Sequence, residues 1–147
     1  MLALSACAPR LSPGSLAPTD RATQLQHDDP DAPLTDLVGL LQIVGTARVV
    51  GLGQPGPGAR ELTRVHHRLV RALVVQAGFT GLALDVDATA AVALDRHVRG
   101  DDLDLDAALL AIGDRTVATV ELRAVLQWMR SHNQTHKADL RVFGLAP

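Results

Sequence analysis

Apolar residues in this chain fall into short β-type runs separated by longer stretches of helical period, and that alternation limits the folds open to it. The short runs are Arg48–Leu52, Phe79–Leu84 and Leu140–Leu145. Between the first two, over residues 59–77, Leu62, Val65, Leu69 and Leu73 recur at helical spacing with Val70 and Val74 beside them. Arg60, Arg64, Arg68 and Arg71 take the opposite face, so the spacing predicts an amphipathic helix of about five turns. Gly78 follows where a helix C′ glycine is favoured. Further helices are expected over 34–44, 88–99, 106–112 and 117–132, the first with Thr35 or Asp36 at its cap and the last with Val120, Val125, Leu126 and Met129 inward. Strand, helix, strand, helices, strand is the order of a parallel sheet with right-handed crossovers. The expected fold class is therefore α/β, a βαβ-type parallel sheet flanked by helices. A parallel sheet needs helices on both faces. The chain stops two residues after its third expected strand, so it reads as cut off, with open sheet edges through which copies could associate.

Five of the eight prolines lie in residues 1–33, among Ser, Thr, Asp and Ala and with little hydrophobic periodicity. That composition predicts a flexible tail over 1–33 and one domain over 34–147. Leu4-Ser5-Ala6-Cys7 is similar to the lipobox of bacterial lipoproteins, in which the cysteine is acylated. The charged n-region is missing and the apolar part is short. Two localisations follow: cytoplasmic for the chain as written, or a membrane-anchored lipoprotein if the start lies upstream and Cys7 is acylated. No apolar run reaches the ~18 residues of a membrane-spanning helix. One cysteine excludes an internal disulfide and a multi-cysteine zinc site. With 14 Lys+Arg against 16 Asp+Glu, a net charge of −2, there is no basic field to hold a phosphate backbone. Trp128, Phe79 and Phe143 are the only aromatics, too few for base stacking, so nucleic acid is not an expected partner.

Gly51-Leu52-Gly53-Gln54-Pro55-Gly56 satisfies G-x-G-x-x-G between an expected strand and a helix. One reading is a dinucleotide turn with pyrophosphate on the helix N-terminus and Asp85 on a ribose hydroxyl. Against it, Pro55 and Pro57 remove backbone N–H groups that would donate to phosphate. Asp85 also stands well beyond the ~20 residues that the motif expects.

The residues around the turn support another reading. Val49–Leu62, then Arg64-Val65-His66-His67-Arg68-Leu69, Ala77-Gly78-Phe79-Thr80, Leu84-Asp85-Val86-Asp87, Ala93–Gly100, Leu126–Arg130 and Val142-Phe143-Gly144 follow one another in an order that resembles the N-terminal part of the erythromycin esterase family, over about residues 36–147. The resemblance implies hydrolysis of macrolide lactones or other esters, with water activated by the histidine of a Gly-Glu-x-x-His-Gly turn and assisted by carboxylates and arginine. It implies Asp85, Arg64 and His67 as site residues, no cofactor, and a small apolar ester or macrolide as ligand. The family's turn is degenerate here: Gln54 stands at the glutamate position and Pro57 at the histidine position. Gln54 cannot serve as a base and Pro57 cannot move a proton. Asp85 is one methylene shorter than the glutamate usual there. Loss of a general base alone is worth ~10²–10⁴-fold. The expectation is thus an erythromycin-esterase-like protein without catalysis, or a fragment of an active one. The alternative is a non-catalytic α/β module that binds a small molecule or a nucleotide.

Other candidates carry less. His66 and His67 are adjacent and project about 100° apart on a helix, so they do not clamp one ion. His132 and His136 have the i, i+4 spacing of a metal pair if the helix continues, but no third ligand is in reach, and they are expected to form a solvated helix end. No metal site is therefore expected. Asp101, Asp102, Asp104 and Asp106 lack the glycine and closing glutamate of a calcium loop, and are expected to be solvated loop and helix-start charge. No G-x-S-x-G nucleophile elbow is present.

Overall fold

The structure, a computed structural model, describes residues 24–53 and 60–146. A 3-10 turn, Thr35–Leu37, leads into α1, Val38–Val44. Then follow α2, Arg60–Ala77; β1, Gly81–Asp87; α3, Ala88–Val98; α4, Leu105–Leu110; α5, Val120–His136; and β2, Arg141–Ala146. The two strands pair in parallel, Leu82 beside Val142 and Ala83 beside Phe143, with α3, α4 and α5 in the crossover between them. The α/β reading holds.

The helices form where period and caps agree. Gly78, at φ +73°, donates its N–H to Val74 O and ends α2 in the left-handed conformation that glycine adopts without a Cβ penalty. Asp87 ends β1 and starts α3 at once: its carboxylate accepts from Thr89 N at 2.7 Å and Ala90 N at 3.2 Å. Asp104 does the same for α4 and Thr119 for α5. The acidic loop is thus helix-start charge, and Asp106 reaches across to Arg123 through two hydrogen bonds of 2.7 and 3.0 Å.

The expected strand over 48–52 does not form: Arg48–Gly53 carry no strand pairing, and Val49 is 85% exposed. A strand exists only through a hydrogen-bonded neighbour. Here β1 takes β2 on one edge, and the short run 48–50 has no sheet neighbour and little packing. Asp36 does not cap the first helix either, since no side chain does so there. Val120, expected inward, is exposed in the first turn of α5, whereas Val125, Leu126 and Met129 are buried.

One core forms from α3, α4, α5 and the inward face of the sheet: Leu94, Val98, Leu105, Leu109, Val125, Leu126, Met129, Leu140 and Val142, joined by Leu82 and Leu84 of β1 and by Val70 and Val74 of α2. The other sheet face bears Ala83, Asp85, Phe143 and Leu145, all exposed. Two polar ties set β2 against α3. Asp95 accepts Arg141 in a forked pair at 2.9–3.3 Å and also accepts Val142 N at 3.0 Å. Burial pushes the Asp95 carboxyl up, but these hydrogen bonds outweigh it and hold the group below its ordinary value. Asn133 of α5 closes the other end, donating to Val98 O and Leu140 O and accepting Leu140 N at 2.8 Å.

Arg68 defines the second packing unit. It is fully buried and donates to Asp36 Oδ1 at 2.5 Å and Oδ2 at 3.0 Å, to Pro33 O at 2.6 Å, and to His27 O. Asp36 further accepts Gln26 N at 3.0 Å. Arg71 donates to Pro30 O, and Arg64 pairs with Asp28 at 3.0 Å. The polar face of α2 is therefore an anchoring face for residues 26–36, and the composition of that segment gives no sign of it.

This packing makes three predictions. A Cβ on Gly144 would stand 2.7–2.8 Å from Val86 O, Asp87 O and Ala88 Cα, where only backbone could yield. Gly144→Ala is expected to lower stability by ~1–3 kcal/mol, seen as an earlier urea midpoint. Arg68→Met leaves Asp36 buried without its cation and is expected to cost ~3–5 kcal/mol. The Arg68 hydrogen bond holds the Asp36 carboxyl far below 3.8 in the folded chain. Its contribution is complete above that value and is lost as pH falls through the acid range, so Asp36→Asn should flatten the acid limb of a stability–pH curve.

Candidate functional site

Arg60, Arg64 and His67 stand at i, i+4 and i+7 on α2 and so share one face. The N-terminal turns of α5 lie opposite and Pro30 closes the side. Together Pro30, Arg60, Arg64, His67, Val120, Glu121 and Ala124 line a shallow cleft of about 280 Å³. At its rim Arg60 Nε donates to Glu121 Oε1 at 3.0 Å, and Arg64 is held by Asp28 at 3.0 Å and Asp29 at 3.9 Å. His67 forms the floor. It is 5% exposed, meets Trp128 edge-to-face at 6.1 Å, and neither ring nitrogen has a hydrogen-bond partner among the described residues. Burial, with Arg71 nearby, lowers its pKa to about 4, so the imidazole is neutral at pH 7.

Two of the three expected site residues thus meet in one cleft. Asp85 is not part of it: it sits on β1, on the exposed face of the sheet beside Ala83, away from the core that the helices cover. Its neighbour in the same motif, Asp87, is taken up by the cap of α3. Gln54, Pro57 and the glycines at 56 and 58 lie outside the described residues, as does Cys7. Gly51 and Gly53 do fall within them, and a Cβ at either would meet nothing within 4 Å.

A second concavity, about 410 Å³, is lined by His97, Asp102, Leu103, Gln127, Arg130, Ser131 and Gln134. Its cation is already engaged. Arg130 donates to His97 O, Gly100 O and Asp101 O at 2.6–3.0 Å and so neutralises the carbonyl end of α3. Among the described residues no group of three or more His, Cys, Asp or Glu is placed to hold a metal ion, and no helix is long and apolar enough to cross a membrane.

The sequence gives no sign of the pairings that Asp36, Glu121, Asp95 and Arg130 make. Their partners lie 32, 61, 46 and 29–33 residues away along the chain, and no local spacing signals such pairs.

The His67 environment carries a pH prediction. The unfolded chain titrates near 6.5 and the folded imidazole near 4, so the unfolded state binds more protons between those values. Stability is therefore full above 6.5 and falls by roughly 3 kcal/mol toward pH 4. His97 and His132 are shifted in the same direction. His67→Phe should flatten, without abolishing, the fall in melting temperature between pH 7 and 4.

The sequence model of the erythromycin esterase family matches residues 74–146, from the end of α2 to the last residue of β2. An erythromycin esterase type II of Escherichia coli is 23% identical over 126 residues, covering 86% of this chain and 30% of that protein. Among solved structures, a Bacillus cereus protein is 35% identical with a TM-score of 0.76, covering 84% of this chain and 30% of its own. A succinoglycan biosynthesis protein is 26% identical with a TM-score of 0.75, covering 86% and 31%. The chain spans about 30% of the length of the relatives it matches. Over residues 74–146, and with a fold shared with these solved structures, the chain belongs to the erythromycin esterase-like family.

Proposed function

We propose that this chain has the erythromycin-esterase-like fold without ester hydrolysis of its own, and that its cleft is a vestige of a family site that handled macrolide lactones or other small apolar esters. The observation that carries the proposal is the separation of the groups such chemistry needs. Ester hydrolysis by activated water requires a proton acceptor, an orienting carboxylate and a cation within reach of one carbonyl carbon. Here Arg64 is engaged by Asp28 and Asp29, and Asp85 faces away on the sheet. His67, near pKa 4, is a weak base at neutral pH. A general base works best with a pKa near the operating pH, and proton transfer from water to so acidic an imidazole is strongly uphill. Gln54 and Pro57 supply no base at the family's turn. Misplacement by about 1 Å already costs on the order of 100-fold, and a group on another face of the molecule contributes nothing.

The test is incubation of the full chain with a macrolide, followed by mass spectrometry for the gain of one water. No conversion above buffer is expected. Saturable conversion that disappears in Asp85→Asn would contradict the proposal. The double variant Gln54→Glu, Pro57→His, which restores the acid and base of the family turn, is expected to stay at the buffer level, because the carboxylate and cation remain apart.

A further inference from the structure

His132 and His136 were expected to be a solvated helix end, and the structure gives them more order than that. Helix α5 runs on through His136, so both side chains leave the same face one turn apart. Their rings stack with centroids 4.2 Å apart and planes 24° from parallel. His132 is half-buried, and its far side rests on Trp128, centroid to centroid 5.1 Å. His136 Nδ1 lies 3.2 Å from the backbone oxygen of His132. A carbonyl oxygen can only accept, so Nδ1 of His136 carries the proton and its Nε2 keeps the lone pair.

We propose that the His132–His136 pair on the last turns of α5 is a two-imidazole binding site for a divalent transition-metal cation of the nickel, copper and zinc class. Three features carry it. The i, i+4 spacing on a continuous helix puts two imidazoles on one face, the arrangement that metal-binding helices use. The N–H of His136 donated to a backbone carbonyl is the outer-shell contact that orients metal-bound histidines and fixes their tautomer. The spacing is also within reach. Metal–nitrogen bonds of ~2.0–2.1 Å at a tetrahedral angle need nitrogens about 3.3 Å apart with converging lone pairs, and the exposed His136 ring, its centroid 4.2 Å from that of His132, turns out of the stack to meet that geometry. Two imidazoles leave the other coordination positions to water. Imidazole ligands suit nickel, copper and zinc, and the order of affinity places copper above nickel and above zinc. The stack on Trp128 holds His132 in place before the ion arrives, which lowers the ordering cost of binding.

Trp128 is the only tryptophan in the chain and touches the site, so it reports binding directly. Nickel chloride titrated into the full chain in a non-coordinating buffer should quench its fluorescence saturably. Zinc, which is diamagnetic, should compete the quench away. His136 is exposed, so His136→Ala should fold as the wild type does by circular dichroism and bind nickel on the order of tenfold more weakly or worse. A nickel-dependent rise in melting temperature should be lost in the same variant. His27→Ala, which removes an exposed imidazole elsewhere, should titrate like the wild type. Absence of saturable quenching at millimolar nickel, or an unchanged titration in His136→Ala, would overturn the proposal.

Discussion

The contact between Arg68 and Asp36 organises half of the molecule. Both side chains are almost wholly removed from water, 0% and 2% exposed, so each is tolerable only because the other is there. The two terminal nitrogens of the guanidinium donate to a carboxylate and two backbone carbonyls from one short stretch of chain, while Nε is buried without a partner among the described residues. Residues 26–36 are thereby tied across the polar face of α2, with Arg64 and Arg71 repeating the contact on either side. The cleft inherits its character from this tie: Pro30 forms one wall, Arg64 is turned to Asp28, and His67 is closed beneath the segment and loses its affinity for a proton.

The other half depends on backbone proximity. The carbonyls of Val86 and Asp87 come so near Gly144 that no side chain fits between them, and Asp95 gathers the Arg141 side chain and the Val142 N–H at the same junction. These contacts lie within the stretch 74–146 that matches the family model. Asp85 is exposed on the other face of this sheet and is not among the residues that line the cleft with Arg60, Arg64 and His67. The stretch that matches the family model thus carries the strand junction, while the cleft on α2 is lined by Arg60, Arg64 and His67 and not by Asp85.

What could be read from the sequence follows the range of the interactions. Helices announce themselves through local period and local stops, and α2, α3, α4 and α5 lie where Leu73, Leu94, Leu109, Leu126 and the caps at Gly78, Asp87 and Asp104 place them. The run at Val49-Val50 has strand composition but no hydrogen-bonded neighbour, and composition does not report neighbours. Arginines at four-residue spacing look like a solvated face until an acidic segment some 30–40 residues earlier is known to lie on them. The candidate site was legible as residue types, through Arg64 and His67, and not as geometry. The burial that neutralises His67 and the strand register that exposes Asp85 are both tertiary.

The central claim is that the arginine face of α2 is an anchor for residues 26–36 and not a surface open to substrate. Amide hydrogen exchange on the full chain, with Arg68→Met beside the wild type, tests it most directly. The Gln26 N–H, bound to the Asp36 carboxylate, and the Leu37 N–H should be protected in the wild type and lose protection in the variant, while Val142 in β2 stays protected in both. Exchange of the Gln26 amide at the rate of an unstructured peptide in the wild-type chain would contradict the account.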